Sequence, residues 1–133
     1  MSSATNVRTD RRYTRDHEWA KQDGSEVIVG ITPFAVEQLG DITMVNFDVG
    51  EGDLIEGGKA FGTVESVKTV SDLIAPISGK VVRLNGDLDG QPELVNDDCW
   101  EKGWMLVLEP SNPSAFQAEL LDEAQYTTHI SAQ

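Results

Sequence analysis

The chain has 133 residues, a hydrophobic fraction of 39% and a net charge of −13, which together predict one globular domain with its own core. No apolar run approaches the ~20 residues that would span a membrane. Residues 1–40 carry five basic and six acidic side chains, and residues 41–133 carry five basic and seventeen acidic ones. Nucleic acid and anionic membranes are therefore poor partners, because phosphate binding needs clustered basic side chains. The acidic surface suits docking to basic clefts on proteins, or serves solubility alone.

The first twelve residues are polar and lack the apolar segment of a secretory signal. We expect residues 1–12 to form a flexible leader and residues 13–133 to form a single domain with C-terminal helices. A cytoplasmic protein is expected, or a mitochondrial-matrix protein if the source is a eukaryote and a transit peptide has been removed. The single cysteine, Cys99, allows no internal disulfide. It follows Asp97 and Asp98, which disfavour a thiolate, so we expect a packed or half-exposed side chain.

The first part of the chain predicts short strands around one helix. Strands are predicted at 13–14, 19–21, 26–31 and 41–47 from their apolar and β-branched residues. Asp23 and Gly24, between the second and third of these, are typical of a hairpin turn. Thr32 followed by Pro33 is typical of a helix start, and Gly40 of a helix end, which predicts a short helix over Pro33–Leu39.

The middle of the chain predicts a hairpin with Lys68 at its tip, formed by two short strands within residues 61–82. Gly57 and Gly79 lie eleven residues either side of that lysine. A lysine in this place is either an ordinary surface charge or an attachment point for a covalent group.

The last part of the chain predicts two strands and C-terminal helices. The strands are expected at 80–84 and 104–109, with a loop at 85–91, one helical turn at 92–95 and an irregular segment at 96–103. One helix is predicted after Asn112 and Pro113, with an apolar stripe formed by Phe116, Leu120 and Leu121. A capping box of Asp122 with Gln125 predicts a second helix through about Ile130. Many short strands with helices near the end predict a mostly-β sandwich or barrel.

Catalytic and metal-binding motifs are missing from the sequence. It has no nucleophile elbow, no phosphate-binding loop and no dinucleotide fingerprint. His17 and His129 lie at opposite ends of the chain, without metal-ligand spacing. The segment at 86–90 fails as a calcium loop because Pro92 and Asp98 occupy the positions that need glycine and glutamate. We predict no metal site and no catalytic residue.

The residues around Lys68 resemble a known carrier family. ESVK at 65–68, SD at 71–72 and APISG at 75–79 closely resemble the lipoyl-attachment hairpin of the glycine cleavage system H proteins. Further matches to the family follow in order along the chain, at 13–14, 16–19, 29–32, 38–41, 92–96 and 103–104. The departures are the acidic residue before His17, Cys99, and the glycine-rich segment at 85–91, and none of them touches the lysine.

This resemblance implies a lipoyl/biotinyl-type β-sandwich, also called a barrel-sandwich hybrid, that carries lipoic acid in amide linkage on Lys68. The implied protein is a non-catalytic carrier, because lipoamide supplies chemistry that side chains lack. It would take an aminomethyl group from the pyridoxal-phosphate-dependent glycine decarboxylase (P protein) to the tetrahydrofolate-dependent aminomethyltransferase (T protein). Dihydrolipoyl dehydrogenase (L protein) would then reoxidise the lipoyl group. A lipoyl-attaching enzyme is the fourth implied partner.

Three carboxylates receive roles from the same resemblance. Glu65 is implied in recognition by the lipoyl-attaching enzyme, and the alternative is a solvent-facing carboxylate on a strand. Glu18 and Asp72 are implied in a surface cleft for the loaded arm, whose amine is a cation that carboxylates hold well. The alternative for both is a plain surface carboxylate. The tryptophans at 19, 100 and 104 are expected to pack in the core or an interface.

Other functions remain open at this point. Biotinyl hairpins usually flank the lysine with methionines, whereas Val67 and Thr69 stand here. The lipoyl domains of 2-oxoacid dehydrogenases are shorter and usually have Asp before the lysine. An H-like protein that relays lipoyl groups to other enzymes has no distinguishing residue in the sequence. An unmodified structural module, with Lys68 as an ordinary charge, is the last alternative.

Overall fold

The computed structural model describes residues 7–132. Within that range the strands are β1 Arg12–Tyr13, β2 Glu18–Asp23, β3 Glu26–Ile31, β4 Ile42–Phe47, β5 Leu54–Ile55, β6 Ala60–Ser66, β7 Val70–Ile74, β8 Gly79–Leu84 and β9 Leu106–Pro110. The helices are α1 Pro33–Leu39, α2 Asp87–Gly90, α3 Leu94–Asp97, α4 Ala115–Glu119 and α5 Glu123–Ser131.

The strands form two antiparallel sheets that pack face to face. One sheet has six strands in the order β1-β2-β3-β9-β8-β5, and the other has three in the order β4-β6-β7. Val27 and Val29 from the first sheet share the main core with Val64 and Leu73 from the second. Alternate residues of a strand point to opposite faces, so each sheet buries one face in this core. The mostly-β sandwich predicted from the sequence is confirmed.

An aromatic cluster covers the outer face of the six-stranded sheet. Tyr13 stacks on Tyr126 of α5 at 4.6 Å between ring centroids, and the Trp19 indole N–H donates to the Cys99 carbonyl oxygen at 3.0 Å. Trp19, Cys99 and Trp100 are buried in this cluster. Burial, and secondarily Asp98, raises the pKa of the Cys99 thiol to about 11. The prediction of packed side chains is thereby confirmed for Trp19, Cys99 and Trp100.

The helices follow the sequence signals at two of their starts. Thr32 Oγ1 accepts from the N–H of Ala35 at 3.3 Å at the start of α1. At the start of α5, Asp122 and Gln125 form the predicted capping box. Both helices therefore begin where their capping residues predict.

The helical segments differ from prediction in three places. The loop predicted at 85–91 contains a helical turn, α2, and the turn predicted at 92–95 begins two residues later, as α3. The predicted helical stripe of Phe116, Leu120 and Leu121 is wrong, because α4 ends at Glu119. Leu121 instead exchanges backbone hydrogen bonds with Tyr13 at 2.8 and 2.9 Å, which adds an isolated bridge beside β1.

The predicted leader includes residues that contact the domain. Residues 1–6 lie outside the described part of the chain. Arg11 is buried, with its guanidinium 4.6 Å from the ring centroid of Trp19 and 5.0 Å from that of Trp100. It also donates to the Trp100 carbonyl oxygen at 3.0 Å. The contacts of Arg11 thus extend the folded domain upstream of Tyr13, the residue at which the sequence predicted the domain to start.

Candidate functional site: the Lys68 hairpin

Lys68 lies between β6 and β7 with its side chain exposed. The Ser66 N–H donates to the Thr69 carbonyl oxygen at 2.8 Å. Ser66 Oγ accepts from the N–H groups of Lys68 and Thr69, both at 3.2 Å. Serine hydroxyls often satisfy turn N–H groups in this way. Ser66 therefore fixes the backbone that presents the lysine, a role that the sequence analysis did not assign.

The hairpin tip is also attached to the segment between α1 and β4. The Val67 N–H donates to the Asp41 carbonyl oxygen at 3.0 Å. Asn96 holds that segment on both sides: its Nδ2 donates to the Gly40 carbonyl oxygen at 2.9 Å, and its Oδ1 accepts from the Ile42 N–H at 2.8 Å. Asn96 thereby supports the tip from beneath. It belongs to the matched segment 92–96, but its role could not be read from spacing.

The Lys68 side chain lies against Gly40 at the end of α1. Gly40 has a φ of 79°, a left-handed conformation that favours glycine. A Cβ at this position would lie 3.4 Å from Lys68 Cε and 3.8 Å from its Nζ. The ammonium thus lies beside a helix C-terminus, where unpaired carbonyl groups favour a cation.

Glu65 occupies the outer face of the three-stranded sheet. It is directly opposite Met44 on β4 and Val70 on β7, and it is half-buried. Its backbone carbonyl oxygen accepts from Thr43 Oγ1 at 3.2 Å. The carboxylate therefore lies three residues before the lysine on the hairpin and faces outward, as either predicted role requires.

Glu18 is buried, with an exposed fraction of 2%, so the alternative of a plain surface carboxylate is wrong for this residue. Its Oε1 accepts from Thr14 Oγ1 at 2.7 Å, and its Oε2 accepts from the Ile74 N–H at 3.2 Å. Burial raises the pKa of Glu18 to about 8, against the lowering effect of these two hydrogen bonds. Glu18 thus connects β2 to the end of β7 that is farther from Lys68.

A groove of about 330 Å³ lies over this connection. It is lined by residues that include Thr14 and Ile74, the two hydrogen-bond partners of Glu18, together with Asp16. Asp72 is exposed on β7, two residues before Ile74 and outside this lining. The two predicted cleft carboxylates are therefore near the same strand, but Glu18 lies beneath the groove and Asp72 lies beyond its edge.

The buried Glu18 predicts a pH-dependent stability difference between wild type and Glu18→Gln. A carboxyl whose pKa rises from 4.5 to about 8 on folding stabilises the fold fully below its unfolded pKa, and that contribution is lost as pH rises through 8. Glutamine does not titrate. We therefore expect the free energy of unfolding of wild type, relative to Glu18→Gln, to fall by a few kcal/mol between pH 4.5 and pH 8.5, as measured by urea unfolding.

The exposed carboxylate Asp72 provides the control through Asp72→Asn. We expect this variant to follow the wild-type dependence on pH. Parallel stability curves for wild type and Glu18→Gln would contradict the placement of an ionisable carboxyl in the interior.

The described residues include neither a cluster of metal ligands nor a membrane-spanning helix. Across residues 7–132, no group of three or more His, Cys, Asp or Glu side chains is arranged to hold a metal ion. None of the helices described in that range is long and apolar enough to cross a membrane.

Comparison with known proteins identifies one family. A family model described as "Glycine cleavage H-protein" matches residues 11–133. The chain is 50% identical over 125 residues to the glycine cleavage system H protein of Anaeromyxobacter sp. (strain K). This alignment covers 93% of this chain and 95% of that protein. It is 47% identical over 127 residues to the protein of the same name from Halalkalibacterium halodurans, with 96% and 98% covered.

A solved structure agrees with these relatives. The crystal structure of a glycine cleavage system H protein from Mycobacterium marinum matches with a TM-score of 0.83 and 37% identity, covering 94% of this chain and 99% of that one. The fold and the family inferred from the residues around Lys68 are thus confirmed. The chain belongs to the glycine cleavage H-protein family.

Proposed function

We propose that this chain is the lipoyl carrier of the glycine cleavage system and that Lys68 is its attachment residue. The observation that carries the proposal is an exposed lysine on a hairpin tip fixed by Ser66, Asp41 and Asn96, in a chain of this family. A carried group must be presented to several enzymes in turn. A fixed tip avoids the entropic cost of ordering a loose loop at each docking event.

The residues at the tip fit an amide-linked group. Lys68 offers a primary amine at the surface, and its acylation removes one positive charge. The hairpin bonds involve backbone groups and Ser66 Oγ, so acylation of Nζ breaks none of them. When bound, lipoic acid supplies a disulfide that can carry an aminomethyl group from the decarboxylase to the aminomethyltransferase, and dihydrolipoyl dehydrogenase would then reoxidise the resulting dithiol to the disulfide.

The flanking carboxylates receive finer roles in the same proposal. Glu65 is the residue that the lipoyl-attaching enzyme would recognise, and its outward-facing position three residues before Lys68 supports this role. Glu18 lies under the groove near Ile74, where its ionised form would attract the cationic amine of a loaded arm, and Asp72 adds negative charge two residues before Ile74 on the same strand. Because the pKa of Glu18 is about 8, this attraction is stronger above that pH.

In this role the chain is a non-catalytic carrier subunit. The relatives are named for the glycine cleavage system, which favours this role over a lipoyl relay to other enzymes. A cytoplasmic location stays a prediction from the sequence.

The mass of the Lys68 peptide tests the proposal. After incubation with a lipoate–protein ligase, lipoic acid and ATP, we expect one lipoyl increment on the intact protein and its location on the peptide that contains Lys68. An increment that fragmentation of the peptide places on Lys59 or Lys80 instead of Lys68, or no increment with a ligase that modifies another carrier in the same assay, would refute the proposal.

A further inference from the structure

The large apolar side chains that the structure leaves exposed are concentrated around the lysine. Among the described residues, the exposed large hydrophobic side chains are Met44 at 50%, Leu54 at 78%, Val67 at 67% and Val70 at 59%. Val67 precedes Lys68, Val70 follows it by two residues, and Met44 is one strand further across the sheet. We call Met44, Val67 and Val70 the tip patch.

Two members of the tip patch stand in one row with Glu65. Met44 is opposite Glu65, and Glu65 is opposite Val70, so the three side chains lie on one face of the sheet at spacings of about 5 Å. Both apolar members remain at least half exposed in the folded domain. Exposed apolar side chains that cluster beside a functional residue are typical of an interaction surface.

We propose that the tip patch is the surface on which the enzyme that acylates Lys68 docks. The inference rests on the proposed function. That enzyme must bring its activated acyl group to Nζ itself, so it must cover the residues within a lysine's length of the tip. The enzymes that act later react with the group at the far end of the acylated arm, further from the hairpin than Nζ.

The charges around the tip patch define the partner further. Glu65 separates Met44 from Val70, Asp72 lies on the same face of β7 as Val70, and Asp41 is joined to Val67 through the backbone. The chain as a whole carries −13. The complementary surface is therefore an apolar contact bordered by Arg or Lys, because such a border steers association with an acidic protein.

The test replaces the apolar side chains without changing charge. In the double variant Met44→Gln with Val70→Thr, both side chains keep similar sizes and Val70→Thr keeps the β-branch. Burial of two apolar groups in an enzyme complex predicts a loss of about tenfold or more in kcat/KM for lipoylation, mainly through KM. The readout is the rate of mass increase with a lipoate–protein ligase, at protein concentrations below and above KM.

Leu54→Gln is the matched control, because Leu54 is more exposed than any member of the tip patch and lies on β5 in the other sheet. We expect Leu54→Gln to be lipoylated like wild type and all variants to unfold at the wild-type temperature. Wild-type kinetics for the double variant would overturn the inference while lipoylation of Lys68 still stands. An equal loss in Leu54→Gln would also overturn it. If the double variant kept the wild-type lipoylation rate but lost a self-association that wild type shows in sedimentation, the tip patch would instead bind a second copy of this chain. A wild-type protein without a lipoyl increment would instead refute the proposed function.

Discussion

Lys68→Arg is expected to abolish lipoylation and, with it, support for glycine cleavage. Arginine preserves the positive charge at the exposed tip, but its guanidinium stays protonated and forms no amide with the acyl group. The hairpin should remain folded, because its bonds use Ser66 Oγ and backbone groups and not Lys68 Nζ. The measurements are the mass of the tip peptide and carbon dioxide release from glycine in a reconstituted system that contains the other three proteins.

Lys80→Arg, at an exposed lysine on β8, is the matched control and should show both the lipoyl increment and wild-type activity. Full activity of Lys68→Arg without a lipoyl group would favour the alternative in which the chain is an unmodified structural module. Lipoylation with no glycine cleavage in wild type would favour the relay.

Arg11→Ala is expected to lower the free energy of unfolding by about 2–4 kcal/mol. The guanidinium packs over the rings of both Trp19 and Trp100 and donates to the Trp100 carbonyl oxygen. Alanine removes both ring contacts, leaves a void beside two indoles and deprives a buried carbonyl group of its donor. The melting temperature should fall by roughly 10 °C in a domain of this size, as measured by thermal and urea unfolding.

Two further variants separate the causes. Arg15→Ala removes an exposed side chain from the same part of the chain and should leave stability near that of wild type. Arg11→Lys keeps the charge but loses the planar stacking surface, so an intermediate loss is expected. If Arg11→Ala is as stable as wild type, the N-terminal residues do not bind the aromatic cluster in solution, and the flexible leader predicted from the sequence would extend through Arg11.

The features that were predicted correctly are set by neighbouring residues. Thr32 with Pro33, and Asp122 with Gln125, begin their helices through bonds to residues three positions away. The β6–β7 hairpin likewise closes through Ser66 and Thr69. Such signals are contained within a few residues, so a single sequence is enough to find them.

The features that were missed depend on contacts between distant residues. Glu18 accepts a hydrogen bond from Ile74, 56 positions along the chain. The alternation of polar and apolar residues along β2 does not reveal that Glu18 is buried. Asn96 acts on Gly40 and Ile42, a relation that no spacing predicts. The α4 helix stopped early because Leu121 pairs with Tyr13. In each case the tertiary partner outweighed the local pattern.

The bonds of Asn96 bear on when the attachment site becomes complete during synthesis. The hairpin that presents Lys68 leaves the ribosome before Asn96, and until Asn96 arrives the Gly40 carbonyl and the Ile42 N–H lack the partner that holds them beneath the tip. A nascent chain that ends just after the hairpin would therefore present its lysine on a turn closed by Ser66 but without the support of Asn96. The finished acceptor surface first exists when the polypeptide has grown well past the residue that is to be acylated.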